Sequence, residues 1–169
     1  MKKQSAGLLV YRKTDGQVEV LIAHMGGPWF AKKDAGAWSI PKGEYGQGEE
    51  PLEVAKREFT EELSKPAPGG EFIELGEVKQ KNNKTVMAWA AEGDLDASDV
   101  KSNIFKIEWP PRSGIVQEFP EIDRAGWFSL SLATNKLIPA QVEFLSRLAD
   151  KLDVDIAPAQ EPPSQSSLL

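Results

Sequence analysis

The 169-residue sequence contains no cysteine, which excludes disulfides, a thiolate nucleophile and cysteine-bound metal sites. It also lacks long apolar runs, since no stretch approaches the roughly 18 residues of a membrane span. The apolar run at residues 7–10 is too short for the core of a signal peptide. These absences predict a cytoplasmic protein that does not associate with a membrane.

Basic residues are fewer than acidic ones, with 20 lysines and arginines against 26 aspartates and glutamates. The resulting net charge of −6 argues against a general nucleic-acid-binding surface. A small phosphorylated ligand is still compatible with this charge, because bound metal ions can reverse the sign of the local field. The expected partner is therefore a small molecule and not a nucleic acid. The oligomeric state is left open between a monomer and a homodimer.

The length fits one domain, which is expected to occupy residues 1–155. Residues 156–169 lack periodicity and are predicted to be a disordered tail. A helix is predicted at residues 52–63, and a helical region after residues 124–130 that includes 141–152. Strands are predicted at residues 5–13, 17–25, 37–41, 71–80, 85–93 and 105–111. This order favours the α+β class, with helices flanking a sheet.

The segment from residue 43 to residue 64 concentrates negative charge, with seven glutamates against Lys56 and Arg57. At about 100° per residue, three carboxylates fall within an arc of about 100° on the predicted helix. They are Glu58, Glu61 and Glu62. An apolar stripe lies beside this arc and consists of Leu52, Ala55, Phe59 and Leu63. The helix should therefore bury its stripe and hold the three carboxylates at the edge of the core.

This placement is unfavourable for the carboxylates alone. Two like charges ~6 Å apart repel by about 3 kcal/mol at an effective dielectric constant of about 20. The C-terminal end of a helix also favours cations over anions. Mg²⁺ or Mn²⁺ would relieve both the repulsion between the carboxylates and their unfavourable interaction with the helix end, because these ions bind carboxylate, carbonyl and water oxygens. Acidic helix faces are commonly just solvated, however, so the cluster by itself leaves both interpretations open.

The spacing of the whole segment is more informative than the cluster. From Gly43 onward the sequence has a glycine, five residues, a glutamate, seven residues, Arg-Glu-Phe, one residue and two glutamates. This order resembles the Nudix box, the signature of Nudix hydrolases. Where the box closes with glycine and an aliphatic residue, this sequence has Ser64 and Lys65. Because that glycine normally caps the helix with positive φ, the departure puts the helix end in doubt but not the carboxylates.

The resemblance implies the Nudix fold, an α/β/α sandwich in which helices flank a mixed β-sheet. It also implies metal-dependent hydrolysis of a pyrophosphate bond in a nucleoside diphosphate linked to another group. Carried over by position, Glu58 and Glu62 would be the main metal ligands, supported by Glu61 and the carbonyl of Gly43. The metal would be Mg²⁺ or Mn²⁺, which shields phosphate charge during such a reaction.

Two further roles follow from the same resemblance. Arg57 would be structural and brace a carboxylate of the box, either Glu49 or Glu61. The general base is open between a glutamate of the box and a glutamate from a distant loop. The loop candidates are Glu118 and Glu121, and a solvated surface role is the alternative for each.

Several residues outside the box are candidates for substrate contacts. Lys42 directly precedes the box, in a Trp-Ser-Ile-Pro-Lys-Gly lead-in that looks like that of dinucleoside polyphosphate hydrolases and of some relatives that cleave nucleoside triphosphates. A lysine at this position could contact phosphate as a point charge. Further phosphate candidates are Lys32, Lys33 and Arg112, each with a solvated role as the alternative. A nucleobase would stack on an aromatic ring, and the loop candidates are Trp29, Phe30 and Tyr45.

The remaining rings are expected to be structural. Trp38, Trp89 and Trp127 follow apolar patterns, which predicts that they belong to the core. His24 is the only histidine, and it ends an apolar strand. It is expected to support the structure, and it does not indicate a Ser-His-Asp triad.

The predicted function is hydrolysis of a dinucleoside polyphosphate such as diadenosine tetraphosphate. An alternative substrate is a nucleoside triphosphate, for example an oxidised one, cleaved to the monophosphate and pyrophosphate. An alternative of a different class is a Nudix-fold regulator that binds a nucleotide without turnover. The three mutually repelling glutamates argue against such a regulator, because binding alone does not need them. A calcium-binding helix is disfavoured, since the loop spacing of calcium motifs is missing.

Overall fold

The computed structural model describes residues 2–156. The tail predicted for residues 156–169 lies outside the described residues, apart from Ile156, which packs half-buried against the core. Within the described part, no helix is long and apolar enough to cross a membrane.

Nine strands occur in the described residues, and seven of them form one central sheet. They are β1 (Lys3–Thr14), β2 (Gln17–Met25), β3 (Trp38–Ser39), β4 (Lys42–Glu44), β5 (Phe72–Gln80), β6 (Lys84–Glu92), β7 (Ile104–Glu108), β8 (Val116–Pro120) and β9 (Ile122–Ser129). The central order is β3-β2-β1-β6-β5, with β4 also paired to β1 and β9 to β2. β1 and β6 run parallel whereas β1 and β2 run antiparallel, so the sheet is mixed, as predicted.

Two hairpins of this sheet turn where the sequence predicts. Asp15 and Gly16 join β1 to β2 with φ values of 51° and 79°. Asn82 and Asn83 join β5 to β6 with φ values of 64° and 59°. Two successive residues in the left-handed region match the right-handed twist of paired strands. The strand pairs predicted on either side of these turns are confirmed.

β7 and β8 form a separate two-stranded hairpin, the arm (residues 104–120). The predicted strand at 105–111 is longer than β7, which ends at residue 108. Pro110 and Pro111 lie in the turn, because they lack the N–H that pairing with a neighbouring strand needs. β8 was not predicted from the sequence, since four of its five residues are exposed and it shows no alternation. The arm exposes three apolar side chains, those of Ile104, Ile115 and Val116.

Helices cover both faces of the sheet. α1 (Pro51–Leu63) packs on the face to which Leu8 and Val10 of β1 point. α2 (Leu130–Lys136) and α3 (Val142–Leu152) cover the opposite face, to which Leu9 and Tyr11 point. This division follows from the alternation of side chains along a strand. The α+β class and the layered sandwich are confirmed.

Candidate active site

α1 is anchored by the apolar stripe that the sequence identifies. Three of its residues are fully buried and the fourth is half-buried: Ala55, Phe59, Leu63 and Leu52. Val54 is also buried, with 2% of its surface exposed. Because Val54 precedes Glu58 by four residues, it lies about 40° from Glu58 around the helix. The face that carries the carboxylates therefore also turns toward the protein.

Ser64 ends α1 where the box would have glycine. It adopts the left-handed conformation, with φ of 56°, and its backbone N–H donates to the Thr60 carbonyl at 2.8 Å. Its hydroxyl donates to the carbonyl of Lys101 at 2.6 Å. Lys65 Nζ lies 2.6 Å from Asp99 Oδ1. These contacts offset the left-handed strain of about 1–2 kcal/mol and tie the helix end to residues 99–101.

β4 brings Gly43 directly against the Glu58 carboxyl group. A Cβ at position 43 would overlap that group, so glycine is what leaves room for it. The Glu58 side chain is 18% exposed. Burial raises the pKa of Glu58 above its ordinary value, and the neighbouring Glu61 adds to the rise while Arg57 opposes it.

Glu62 contacts the residue before Gly43. Its Oε1 accepts a hydrogen bond from the backbone N–H of Lys42 at 3.3 Å. Burial raises the pKa of Glu62 to about 8, against the attraction of Lys42, and the charges of Glu121 and Glu58 contribute to the rise. Burial also lowers the pKa of Lys42. In the metal-free protein, burial therefore opposes the ionisation of Glu62, and Lys42 lies beside it instead of in open solvent.

Arg57 contacts several carboxylates of the box. Its guanidinium lies 3.3 Å from Glu49 Oε2, 3.6 Å from Glu58 Oε2 and 3.9 Å from Glu61 Oε1. Glu49 also accepts a hydrogen bond from the N–H of Gly46 at 3.0 Å. The Gly46 bond and then Arg57 hold the pKa of Glu49 below its ordinary value. Of the two partners considered for Arg57, Glu49 is thus the nearer, and Glu61 is also within reach.

The donor chemistry of this edge suits a hard divalent cation. Two half-buried carboxylates, Glu58 and Glu62, meet the backbone of β4, where Gly43 leaves a gap in the side chains. Glu61 is 45% exposed and turns toward Arg57. Among residues 2–156, no three acidic or histidine side chains converge into a ready-made metal site. A cation here would therefore complete its shell from backbone oxygen, water and substrate phosphate, as Mg²⁺ commonly does.

Of the two loop glutamates, Glu121 is the one that lies near this edge. Its charge acts on Glu62, and its backbone is fixed by hydrogen bonds of 2.8 Å from Gly26 N–H and to the Asn103 carbonyl. Glu118 lies on the arm, where its Oε2 is 3.8 Å from Lys106 Nζ. The structure thus brings Glu121, but not Glu118, into electrostatic contact with the box.

The lysine loop (residues 26–36) connects β2 to β3 and carries Lys32 and Lys33, both exposed. Asp34 fixes this loop, because its carboxylate accepts hydrogen bonds from Lys136 Nζ at 2.9 Å and from Trp38 Nε1 at 2.9 Å. Lys136 first and then Trp38 lower the pKa of Asp34. Lys32 and Lys33 therefore project from a backbone whose position is fixed by Asp34. Arg112 is exposed at the turn of the arm, with φ of 62°.

Trp109 is an aromatic residue near this region that the sequence did not single out. It lies at the turn of the arm and packs edge-on against Trp29 of the lysine loop, with ring centroids 5.5 Å apart. Trp29 is 49% exposed. By contrast, Phe30 and Tyr45 are half-buried against the two core clusters. In the sequence, Trp109 stands directly before two prolines, so it fits no periodic pattern of core residues. That exception is the signal by which the sequence could have identified it.

The other tryptophans and His24 are structural in placement. Trp38 and Trp89 are buried, as predicted, with 3% and 8% of their surface exposed. Trp127 is only half-buried; Arg12 covers its ring at 4.2 Å. His24 is fully buried at the end of β2.

A shallow groove of about 480 Å³ lies at the base of the arm. Its lining includes Val100, Ser102, Phe119 and Ile122. Lys101, whose carbonyl is bonded to Ser64 at the end of α1, also lines it. The groove therefore adjoins the C-terminal end of the carboxylate-bearing helix.

Comparison with known proteins gives one family model, described as NUDIX domain, that matches residues 1–148. Among solved structures, an Ap4A hydrolase of C. elegans in a binary complex has a TM-score of 0.61 and 23% identity, covering 89% of this chain and 98% of that chain. The NUDIX domain of Shewanella oneidensis NrtR complexed with ADP ribose has a TM-score of 0.62 and 11% identity, covering 90% and 89%. A search among curated proteins gives no match.

A MutT protein from Methanosarcina mazei Go1 has a TM-score of 0.58 and 21% identity, covering 89% of this chain and 95% of that chain. At such identities the likeness to solved structures is a likeness of fold. Function has to be argued from the site, because one fold hosts many activities.

Proposed function

The chain belongs to the Nudix family of hydrolases, and from this premise we propose that it hydrolyses a dinucleoside polyphosphate of the diadenosine tetraphosphate type. Nudix enzymes generally use a divalent metal, and Mg²⁺ or Mn²⁺ is the cation proposed here. One observation carries the proposal. Glu58 and Glu62 are half-buried at the contact with β4, and burial opposes their ionisation in the absence of a cation.

The residues of the box have separate roles in this proposal. Glu58 and Glu62 would hold the cation, with Glu61 at the rim and Gly43 leaving space for the Glu58 carboxylate. A bound cation supplies charge shielding for the phosphates and lowers the pKa of a coordinated water. Arg57 keeps the acidic side chains oriented through its contact with Glu49. Ligands on a helix hold such an arrangement rigidly.

Glu121 is the proposed general base. Its backbone is fixed on two sides, and its carboxylate is close enough to Glu62 to act on its pKa. A base must lie within reach of the attacking water, which is held at the box. Glu118 was the other candidate, and its position beside Lys106 on the arm makes it the less favoured one. The variants Glu121→Gln and Glu118→Gln form a matched pair to separate them.

Phosphate contacts are assigned to the lysine loop and its surroundings. Lys32 and Lys33 are exposed on a backbone that Asp34 holds in place. Lys42 adjoins Glu62 and would meet the phosphate nearest the cation. Arg112 would reach a more distant phosphate from the turn of the arm. Several cations outside the box suit a long polyphosphate better than a diphosphate.

Two places could receive a nucleoside. Trp29, edge-on to Trp109, offers an exposed aromatic face, and stacking on such a face is worth about 1–3 kcal/mol per base. The groove at the base of the arm has a volume of about 480 Å³, within the range of small-ligand sites. Two separate nucleoside sites favour a dinucleoside over a nucleoside triphosphate. Tyr45 is assigned to packing rather than stacking, because it is half-buried against the α1 core.

The test is a nucleotide screen with Mg²⁺ or Mn²⁺ in which the products are resolved by chromatography. The expected result is cleavage of diadenosine tetraphosphate into two adenine nucleotides. Faster cleavage of a nucleoside triphosphate to monophosphate and pyrophosphate would replace the dinucleoside proposal. Binding of nucleotides without any turnover would overturn the enzymatic assignment and indicate a regulator instead.

A further inference from the structure

His24 is the only histidine in the chain, and it has no part in the chemistry proposed above. It is fully buried at the end of β2. Its Nδ1 lies 2.8 Å from Asp123 Oδ1, and its Nε2 lies 2.6 Å from the carbonyl oxygen of Lys33. The ring therefore connects β9 to the lysine loop through two short contacts.

The contact with the loop has a fixed direction. A carbonyl oxygen can only accept, so Nε2 of His24 donates to Lys33. On its other side, Nδ1 faces both the Asp123 carboxylate at 2.8 Å and Arg124 Nη1 at 3.4 Å. Asp123 and Arg124 are themselves paired at 3.4 Å. The ring therefore joins the lysine loop to a pair of charged side chains on β9.

We propose that His24 is a positioning residue whose buried ring fixes the lysine loop to β9 through the Lys33 carbonyl. This role rests on the proposed function, because the ring acts on a substrate only through the lysines of the loop. Glu121 is held independently, by backbone bonds with Gly26 and Asn103. The contribution of His24 therefore falls on the loop and on phosphate binding, not on the general base.

The contact with the loop can be measured without any substrate. Because the chain has a single histidine, its imidazole nitrogens give unambiguous signals in ¹⁵N-labelled protein. We expect a proton on Nε2 that exchanges slowly with water, because it is buried and donated to the Lys33 carbonyl. An Nε2 that carries no proton, or one that exchanges as fast as in an exposed histidine, would overturn the proposal.

The positioning role is tested with His24→Phe, which keeps a buried ring but has no donor for the Lys33 carbonyl. We expect amide hydrogen exchange at Lys33 and Ala37 to accelerate about tenfold, as for the loss of a buried hydrogen bond. With a dinucleoside polyphosphate, KM should rise about tenfold and kcat should stay within about twofold. A fall in kcat with unchanged KM, or unchanged exchange in the loop, would refute the role.

A control separates this effect from general destabilisation. Gln141 is buried and bonded to Ile40, Ser39 and Gln80, away from the loop lysines. Gln141→Leu should lower the melting temperature without raising KM; an equal rise in KM would count against His24. If wild-type protein cleaves no nucleotide, the proposed function fails, whereas the Nε2 proton and the amide exchange of the loop still decide whether His24 holds the loop.

Discussion

The raised pKa of Glu62, a proposed metal ligand, lowers the stability of the fold. Burial raises its pKa to about 8 from an ordinary value of 4.5. Between these two pH values the unfolded chain loses the proton and the folded protein retains it. The unfolded state is thereby favoured, so stability from this group is fully present below the unfolded pKa and declines as pH rises toward the folded pKa.

We predict that Glu62→Gln removes this decline in the metal-free protein. In wild type, the contribution of Glu62 to the free energy of unfolding should fall between about pH 5 and pH 8. Lys42 has a lowered pKa and acts in the opposite sense, so the variant is compared with wild type at each pH. Urea unfolding in the presence of a chelator measures the free energy of unfolding of the variant and of wild type. Curves that stay parallel across this range would contradict the electrostatic account of Glu62.

At the scale of the element, the end of α1 depends on a serine that makes two compensating contributions. Its left-handed backbone costs about 1–2 kcal/mol relative to glycine. Its hydroxyl makes a 2.6 Å hydrogen bond to the Lys101 carbonyl, and such a bond contributes about 1 kcal/mol. The helix end is thus tied to the segment that leads into the arm.

We therefore predict different outcomes for two substitutions at this residue. Ser64→Ala should destabilise by about 1 kcal/mol, because it loses the hydrogen bond and keeps the strain. Ser64→Gly should be nearly neutral, because the relief of strain offsets the lost bond. Urea unfolding at fixed pH distinguishes them. Equal losses for both variants would indicate that the backbone strain is negligible.

The arm is the element assigned to base recognition. Trp109→Ala removes the ring that packs edge-on against Trp29, and it should raise KM for a dinucleoside polyphosphate about tenfold, since stacking on Trp29 is worth about 1–3 kcal/mol per base. The value of kcat should change little, because the arm lies outside the box. Ile115→Ala is a matched control, as Ile115 is 55% exposed on the same arm. If both variants gave the same steady-state constants as wild type, the arm would have no part in base recognition.

At the scale of the molecule, sequence periodicity predicts the elements whose pattern is local. The spacing from Gly43 to Glu62 identifies α1 and its carboxylate arc, and the Asp-Gly and Asn-Asn turns identify two hairpins. Each depends on residues within about one turn or one hairpin of each other. The overlap that a Cβ at Gly43 would cause also explains why the box begins with glycine.

The remainder of the site depends on contacts between distant segments. Glu118 and Glu121 are three residues apart and equivalent by sequence, but only Glu121 has its backbone bonded to Gly26. Trp29 and Trp109 meet because the arm folds onto the lysine loop. The two segments approach closely at Gly27, where an added Cβ would come within 2.7 Å of the Phe105 ring. β9 was not predicted because most of its residues are only partly buried. Such pairings are decided by tertiary packing and leave no local period.

The central claim is that the buried carboxylates of α1 serve metal-dependent pyrophosphate hydrolysis. It is tested most directly by the turnover of diadenosine tetraphosphate with Mg²⁺ in wild type, Glu62→Gln and Glu53→Gln. Glu53 lies on the same helix, paired with Lys56 at 3.2 Å and 68% exposed, and is the matched control. We predict that Glu62→Gln loses at least about 10²-fold in kcat, while Glu53→Gln stays within about twofold. Wild-type turnover in Glu62→Gln, or an equal loss in Glu53→Gln, would contradict the claim.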